Sequence, residues 1–156
     1  MRYVVVTMGR HDRGPFAAAV ERYRTRIDAL AGGLELRSLK ASRAATAVER
    51  RRADAAALLS VARSATAHSV LLDERGERFT TAALARYVDG LEQRGEGRVT
   101  LLLGAADGVD PNLRDQVDAC WSLSPLTLSH EVALVVLLEQ LYRVTSLARG
   151  HPYHRA

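Results

Sequence analysis

The sequence is poor in the residues that build disulfides, zinc sites and membrane spans. Cys120 is the only cysteine among 156 residues, which excludes an internal disulfide and a cysteine-rich zinc site; beside Trp121 it is typical of a core residue. The longest apolar runs, such as residues 132–138, are much shorter than the ~20 residues of a transmembrane helix. Met1 and Arg2 lead directly into a strand-like segment instead of a signal peptide, so we expect a cytoplasmic protein.

Lysine is almost absent, whereas arginine is abundant. Lys40 is the only lysine in a chain that has 22 Lys and Arg, 18 Asp and Glu, and a formal net charge of +4. The net positive charge is compatible with a polyanionic partner such as RNA. The abundance of arginine and alanine also fits a biased genomic base composition. The arginines at 50–52 are typical of a solvated helix face, with contact to RNA as the less favoured alternative.

The chain has no repeat, low-complexity tract or long polar linker, which predicts a single domain over residues 1–156. A domain of this size can bury a substantial core, but the chain is too short to add an independent RNA-binding module. Whatever the protein does, one domain must do it.

Aliphatic, β-branched segments alternate with longer amphipathic segments, which predicts an α/β fold with a mainly parallel sheet. Strands are predicted at residues 3–8, 34–39, 69–73, 99–103 and 123–128, with a loop as the alternative for the last segment because it contains Pro125. Helices are predicted at residues 15–30, 44–67 and 80–91, after Asp110-Pro111, and at residues 131–148. The last helix is apolar around nearly its whole circumference up to Leu138, so it is buried on more than one side, either within the monomer or against another subunit.

Two predicted strands end in polar, glycine-containing loops, at residues 73–76 and 104–108. Small residues at the carboxyl edge of a parallel sheet let a ligand approach the backbone, although a plain tight turn has the same pattern. The loops lack a Walker lysine and the three-glycine dinucleotide fingerprint. Ser122, Ser124 and Ser129 show no nucleophile-elbow pattern, so hydrolase interpretations are not supported.

The last residues, His151 to Arg155, combine two imidazoles, a phenol and a guanidinium. Such groups can stack on a base, bind phosphate or transfer a proton near neutral pH, whereas a frayed terminus is the structural alternative. A metal site is disfavoured because no carboxylate or thiol lies nearby in the sequence. Glu139 and Arg143 lie one turn apart on the last helix and fit a simple ion pair.

Three separated motifs resemble those of one family: WSLSPLTLSH at residues 121–130, LEQLYR at residues 138–143 and HPYHR at residues 151–155. In this order and spacing they are similar to the H-type pseudouridine N3-methyltransferases of 23S ribosomal RNA, members of the SPOUT superfamily. The similarity spans essentially the whole chain. It implies an α/β fold with a C-terminal trefoil knot, a homodimer, and S-adenosylmethionine held by three loops, with no metal.

The resemblance also implies roles for individual residues. The cofactor-binding residues would be Leu72, Gly104, Ala105, Gly108, Leu123, Ser124, Pro125, Leu126, Thr127 and Leu128. The residues around the target base would be His130, Tyr142, Arg143, Tyr153, His154 and Arg155. Among these, His154 is the first choice as general base because imidazole titrates near working pH, and Arg143 or Arg155 would hold phosphate or stabilise the developing anion.

The implied substrate is 23S ribosomal RNA in the assembled ribosome, with one subunit holding the cofactor while the partner's C-terminal tail helps to bind RNA. Two departures from the family pattern bear on this expectation. The family usually has Gly-Gly-Pro-Glu-Gly where this chain has residues 104–108, and an arginine four residues after the histidine where this chain has Leu134. Two alternatives therefore stand beside the first: a divergent SPOUT enzyme that methylates another RNA site, and an inactive RNA-binding or ribosome-assembly protein.

Overall fold

In the computed structural model, which describes residues 1–65 and 67–150, five β-strands alternate with four α-helices and one 3-10 helix. The strands are β1 (Arg2–Met8), β2 (Leu34–Leu39), β3 (His68–Arg78), β4 (Arg98–Leu103) and β5 (Ala119–Ser122). The α-helices are α1 (Ala17–Leu30), α2 (Ala47–Ser64), α3 (Thr81–Gln93) and α4 (His130–Ala148), and the 3-10 helix is Pro111–Gln116.

The strands form one parallel sheet with the order β2-β1-β4-β3-β5. One face packs against α1, α3 and α4, and its core includes Val5, Leu101 and Trp121. The other face packs against α2 and the 3-10 helix around Val6 and Leu102. Alternate residues of the central strands thus fill two cores, which explains their continuous apolar character.

Three of the four α-helices begin at side-chain caps, all on the edge of the sheet where the strands end. Thr46, Thr80 and Ser129 each accept a hydrogen bond from the backbone N–H three residues further on, and Thr46 completes a capping box with Glu49. These caps satisfy N–H groups that a helix leaves without an internal partner. They also fix where the preceding loops end, and the loop that ends at Ser129 lines a cleft at this edge.

The predicted α/β architecture and the first four strands are confirmed. Residues 123–128, for which strand and loop were both open, form a loop, and the fifth strand lies just before it. Helix α2 is shorter at both ends than the predicted 44–67, because the Thr46 cap sets its start and Ala65 is extended. The helix predicted after Asp110-Pro111 is a 3-10 helix.

Helix α4 lies between α1 and α3 and against the sheet. Leu134, Leu137, Leu138 and Leu141 are buried in the core of that face. Within the described part of the chain, no helix is both long and apolar enough to cross a membrane.

Candidate functional site: a cleft at the carboxyl edge of the sheet

A cleft of about 740 Å³ lies where the pairing between β3 and β4 ends. Leu72 and Leu103 are register partners, so these neighbouring strands reach the edge at the same level. The walls come from three segments: the β3 loop (residues 73–76, a bulge within β3), the β4 loop (residues 104–108) and the β5 loop (residues 123–128). A cleft of this size at the carboxyl edge of a parallel sheet is where α/β folds bind small ligands.

The β3 loop exists because β3 pairs with β5 in two registers. Trp121 is the partner of both Leu72 and Glu77, so the residues between them bulge out of the ladder. Gly76 closes this bulge against the β5 backbone: a Cβ there would lie 2.6 Å from the carbonyl carbon of Trp121 and 2.7 Å from that of Cys120. Only glycine permits an approach this close.

Two adjacent residues at the start of the bulged loop anchor it through their side chains. Arg114 donates from Nε and Nη2 to Oδ2 of Asp73, at 3.0 and 2.7 Å, and the Asp73 side chain is only 9% exposed. Thr127 of the β5 loop donates to Oε2 of Glu74 at 2.8 Å. The first contact ties the loop to the 3-10 helix, and the second joins two walls of the cleft.

The β4 loop is a tight turn in which the Gly108 N–H donates to the Ala105 carbonyl at 3.0 Å. Gly108 has a φ of +82°, which favours glycine. Arg50 of α2 donates from Nε to Oδ2 of Asp107 at 2.6 Å and from Nη1 to the Ala44 carbonyl at 3.0 Å. Through its hydrogen bond to Asp107, Arg50 lowers the pKa of that carboxyl group and ties the turn to α2.

The β5 loop is ordered by serine hydroxyl groups. Ser122 Oγ donates to the Ser124 carbonyl at 3.0 Å, and Ser124 Oγ accepts from the Leu126 N–H at 2.9 Å. Leu126 is 72% exposed and is the most exposed of the large hydrophobic residues. A ligand that fills the cleft would cover this apolar side chain and gain from its burial.

The charges on the cleft wall are balanced: Asp73, Glu74 and Asp107 oppose Arg51, Arg75 and Arg114. Asp73 is already paired with Arg114, and Asp107 is paired with Arg50. Such a wall, with backbone groups at small residues and an exposed leucine, suits a ligand with polar and apolar parts rather than a simple anion. Among the described residues, no group of three His, Cys, Asp or Glu side chains is placed to hold a metal ion.

Nine of the ten residues predicted to bind a cofactor line this cleft: Leu72, Gly104, Ala105, Gly108, Leu123, Ser124, Leu126, Thr127 and Leu128. Pro125 is exposed on the same loop without forming the wall. Sequence reasoning missed Arg50, Arg51 and Arg114 as contributors. Their positions follow from α2 and the 3-10 helix packing at this edge, and no local sequence pattern indicated it.

The residues predicted to surround a target base are distributed differently. His130, the first residue of α4, lines the cleft. Arg143 lies on the same helix, roughly 20 Å further along at 1.5 Å per residue, and its Nε donates to Glu139, the ion pair that the spacing predicted. Tyr142 is buried, with the Arg26 guanidinium 5.5 Å from its ring centroid. Tyr153, His154 and Arg155 lie outside the described residues.

A parallel five-stranded sheet with a cleft built by three loops at its carboxyl edge defines an α/β ligand-binding domain, and comparison with known proteins identifies its family. The family described as predicted SPOUT methyltransferases matches residues 1–154. Ribosomal RNA large subunit methyltransferase H of Methylobacterium sp. (strain 4-46) is 39% identical over 160 residues, which cover 99% of this chain and 98% of that protein. The protein of the same name from Rhizobium etli is 39% identical over 162 residues, 99% of each chain.

The chain therefore belongs to the ribosomal RNA large subunit methyltransferase H family of SPOUT methyltransferases. Solved structures share the fold at low sequence identity. A putative methyltransferase of Legionella pneumophila, in complex with S-adenosylmethionine, is similar with a TM-score of 0.53 and 14% identity over 94% of this chain and 66% of that one. A hypothetical protein gives a TM-score of 0.55 with 15% identity over 95% of this chain and 68% of that one.

Proposed function

We propose that the protein transfers a methyl group from S-adenosylmethionine to N3 of a pseudouridine in 23S ribosomal RNA of the assembled ribosome. The observation that carries this proposal is the cleft, in which three separated loops meet beside His130. The names of the full-length relatives support ribosomal RNA as the substrate, and the Legionella structure with bound S-adenosylmethionine supports the cofactor.

The residues present fit this cofactor. Bound S-adenosylmethionine would supply an electrophilic methyl group on a sulfonium centre. The β4 and β5 loops would hold its polar ends through backbone groups at Gly104, Ala105 and Leu128, and Leu126 would cover an apolar surface. The rate would depend strongly on positioning, because orientation of two reactants can contribute roughly 7–11 kcal/mol to lowering a barrier.

Methylation at N3 also requires that the N3 proton be removed. We propose His154 as the general base, with Tyr153 and Arg155 beside the target nucleotide and His130 contacting it from the cleft wall. Arg143 lies far from His130 on the same helix, so the arginine that acts at this site would come from the second subunit. There it would stabilise the anion or bind an RNA phosphate. A histidine matches this role because its unperturbed pKa of ~6.5 lies close to the working pH.

A homodimer with a C-terminal trefoil knot completes the proposal. The support for the homodimer is α4, where Val132 and Val136 are half-buried and lie one turn apart, beside the polar Gln140. In a chain this small, a second copy is the natural cover for such a helix.

The dimer makes a direct prediction about α4. Val136→Arg places a charge on the half-exposed side of this helix, and we expect the dimer to dissociate at micromolar concentration. Sedimentation equilibrium would measure the mass, with Ala82→Arg on the exposed face of α3 as the matched control. A wild-type protein that sediments as a monomer would contradict the dimer.

The ion pair between Arg50 and Asp107 is expected to support cofactor binding. Arg50→Ala should weaken binding of S-adenosylmethionine by about two- to fivefold, a modest effect because exposed ion pairs contribute little. Since the pair lowers the pKa of Asp107, the contact persists as the pH falls through the usual aspartate range and is lost only below the lowered pKa. Calorimetry would test this, with the exposed neighbour Arg52→Ala as control.

The proposed function is tested first by calorimetric titration of S-adenosylmethionine into the purified protein. We expect saturable binding that Ala106→Trp weakens, because Ala106 is exposed on the cleft wall, whereas Ala82→Trp on α3 leaves it unchanged. Absence of binding to a folded wild-type protein would favour an inactive RNA-binding protein.

The reaction is then tested with bacterial 70S ribosomes that lack the modification. Mass spectrometry of digested 23S RNA should locate one new methyl group at N3 of a pseudouridine. A methyl group on any other nucleotide would instead show that this is a divergent enzyme with another RNA site.

A further inference from the structure

Exposed cations cluster on the two loops that follow β1 and β2. The β1 loop (residues 9–16) carries Arg10 and Arg13, and the β2 loop (residues 40–46) carries Lys40 and Arg43; all four residues are exposed. These loops lie at the same edge of the sheet as the cleft, because every strand in the sheet is parallel.

Backbone and side-chain contacts hold the two loops together. The Gly9 N–H donates to the Leu39 carbonyl at 2.7 Å, and the Ser38 hydroxyl lies 2.8 Å from Nδ1 of His11. The second contact joins the end of β2 to the middle of the β1 loop. The cations of both loops therefore belong to one surface, which we call the basic edge: Arg13, Lys40 and Arg43.

The charges of the basic edge are available to a partner. Arg10 is neutralised by Asp12, to which it donates two hydrogen bonds at 2.9 and 2.6 Å. Arg13, Lys40 and Arg43, by contrast, form no ion pair with any residue in the described ranges 1–65 and 67–150. Arg13 also interacts electrostatically with the neighbouring Asp12. Three cations without an ion pair on one edge favour an anionic partner.

The basic edge adjoins the cleft. Arg13 and His11 line a small cavity of about 20 Å³ together with Gly104 and His130, and both of these last residues also line the cleft. From α4, Leu134 closes the cavity with an alkyl group and Glu131 adds a carboxylate, so the positive charge on this side comes from the loops.

The size of this cavity constrains the partner. A volume of about 20 Å³ holds about one water molecule, so a small anionic metabolite would find no enclosed site here. The cations instead stand on an open surface, where an extended polyanion can contact several of them at once. The phosphodiester backbone of RNA is the polyanion that the proposed function supplies.

We propose that the basic edge binds phosphates of the ribosomal RNA next to the target nucleotide and so positions that nucleotide at the mouth of the cleft. This inference rests on the proposed function for the identity of the RNA. Arg13, Lys40 and Arg43 act as positioning residues: they contact the backbone of the substrate and take no part in the methyl transfer.

The test is the double variant Arg13→Gln/Lys40→Gln, which removes one cation from each loop. Binding to unmodified 70S ribosomes is measured by cosedimentation across a series of KCl concentrations at constant Mg²⁺. We expect affinity to fall about tenfold and the slope of log K against log salt to become shallower by about 1 to 2, as two lost phosphate contacts require. In methyl transfer, KM for ribosomes should rise while kcat stays within about twofold.

The matched control is Arg86→Gln/Arg94→Gln, which removes the same charge from exposed positions on α3 and at its end. Equal losses in both double variants, or a loss of affinity for S-adenosylmethionine in the first, would overturn the basic edge as a specific RNA contact. Unchanged ribosome binding would overturn it as well. If the first variant alone loses binding but the wild-type protein transfers no methyl group, the basic edge stands and the proposed reaction fails.

Discussion

Replacing Gly76 with alanine is expected to lower the free energy of unfolding by about 3 kcal/mol, at the upper end of the usual cost of overpacking. The added methyl would meet carbonyl carbons of Trp121 and Cys120 at 2.6 and 2.7 Å. These are backbone atoms of β5, which is paired with β3 on both sides of the bulge. They cannot withdraw without breaking the ladder, so the strain cannot be relieved by a change of rotamer.

The matched control is Gly97→Ala. A Cβ at Gly97 has no neighbour within 4 Å, and the residue is exposed. The free energy of unfolding of this variant should therefore differ from that of the wild type by less than about 0.5 kcal/mol. Urea unfolding followed by circular dichroism measures both variants. Equal stability of the two would show that the close approach of the β3 bulge to β5 is not required. Loss of cofactor binding by a Gly76→Ala protein that remains folded would show that the bulge shapes the cleft.

Much of the fold was predictable because the strongest sequence signals are local. The β-branched and aliphatic run at 3–8 and the apolar run at 99–103 become the central strands β1 and β4, which are buried on both faces. The ends of such strands meet at one edge, so the two glycine-containing loops were expected at the same edge of the sheet. Both the 73–76 and the 104–108 loops line one cleft there, while ligand binding in that cleft stays a prediction.

The contacts that shape the cleft could not be predicted, since they join residues far apart in the sequence. Arg50 and Asp107 are 57 residues apart, and Asp73 and Arg114 are 41 apart. Neither pair shows a periodic pattern, whereas Glu139 and Arg143, one helical turn apart, were recognisable as a pair. The register shift that creates the β3 loop is likewise hidden, because nothing in residues 73–76 indicates that the strand resumes beyond them.

Position 104, a glycine both in the family pattern and in this chain, offers a test of whether the shape of the β4 loop controls the proposed cofactor binding. Gly104→Ala is expected to weaken binding of S-adenosylmethionine by about tenfold or more, equivalent to about 1.4 kcal/mol. A Cβ at Gly104 would lie 2.5 Å from Cγ2 of Val109 and 3.3 Å from the Gly108 carbonyl oxygen. The methyl would therefore push against the far end of the turn and displace the β4 loop, instead of projecting into the cleft. The cost arises from this clash, since only Gly108 in the turn needs a positive φ.

This mechanism predicts a specific rescue. Val109→Ala removes the atom that the new methyl would meet, so Gly104→Ala/Val109→Ala should recover most of the lost affinity, to within about threefold of Val109→Ala alone. The four proteins form a double-mutant cycle, and calorimetry of each gives the coupling between the two positions, which is large only if they contact each other. If the double variant binds as weakly as Gly104→Ala, the methyl acts on the ligand directly. The backbone at Gly104 would then be a contact surface for the cofactor rather than the hinge of the turn that holds it.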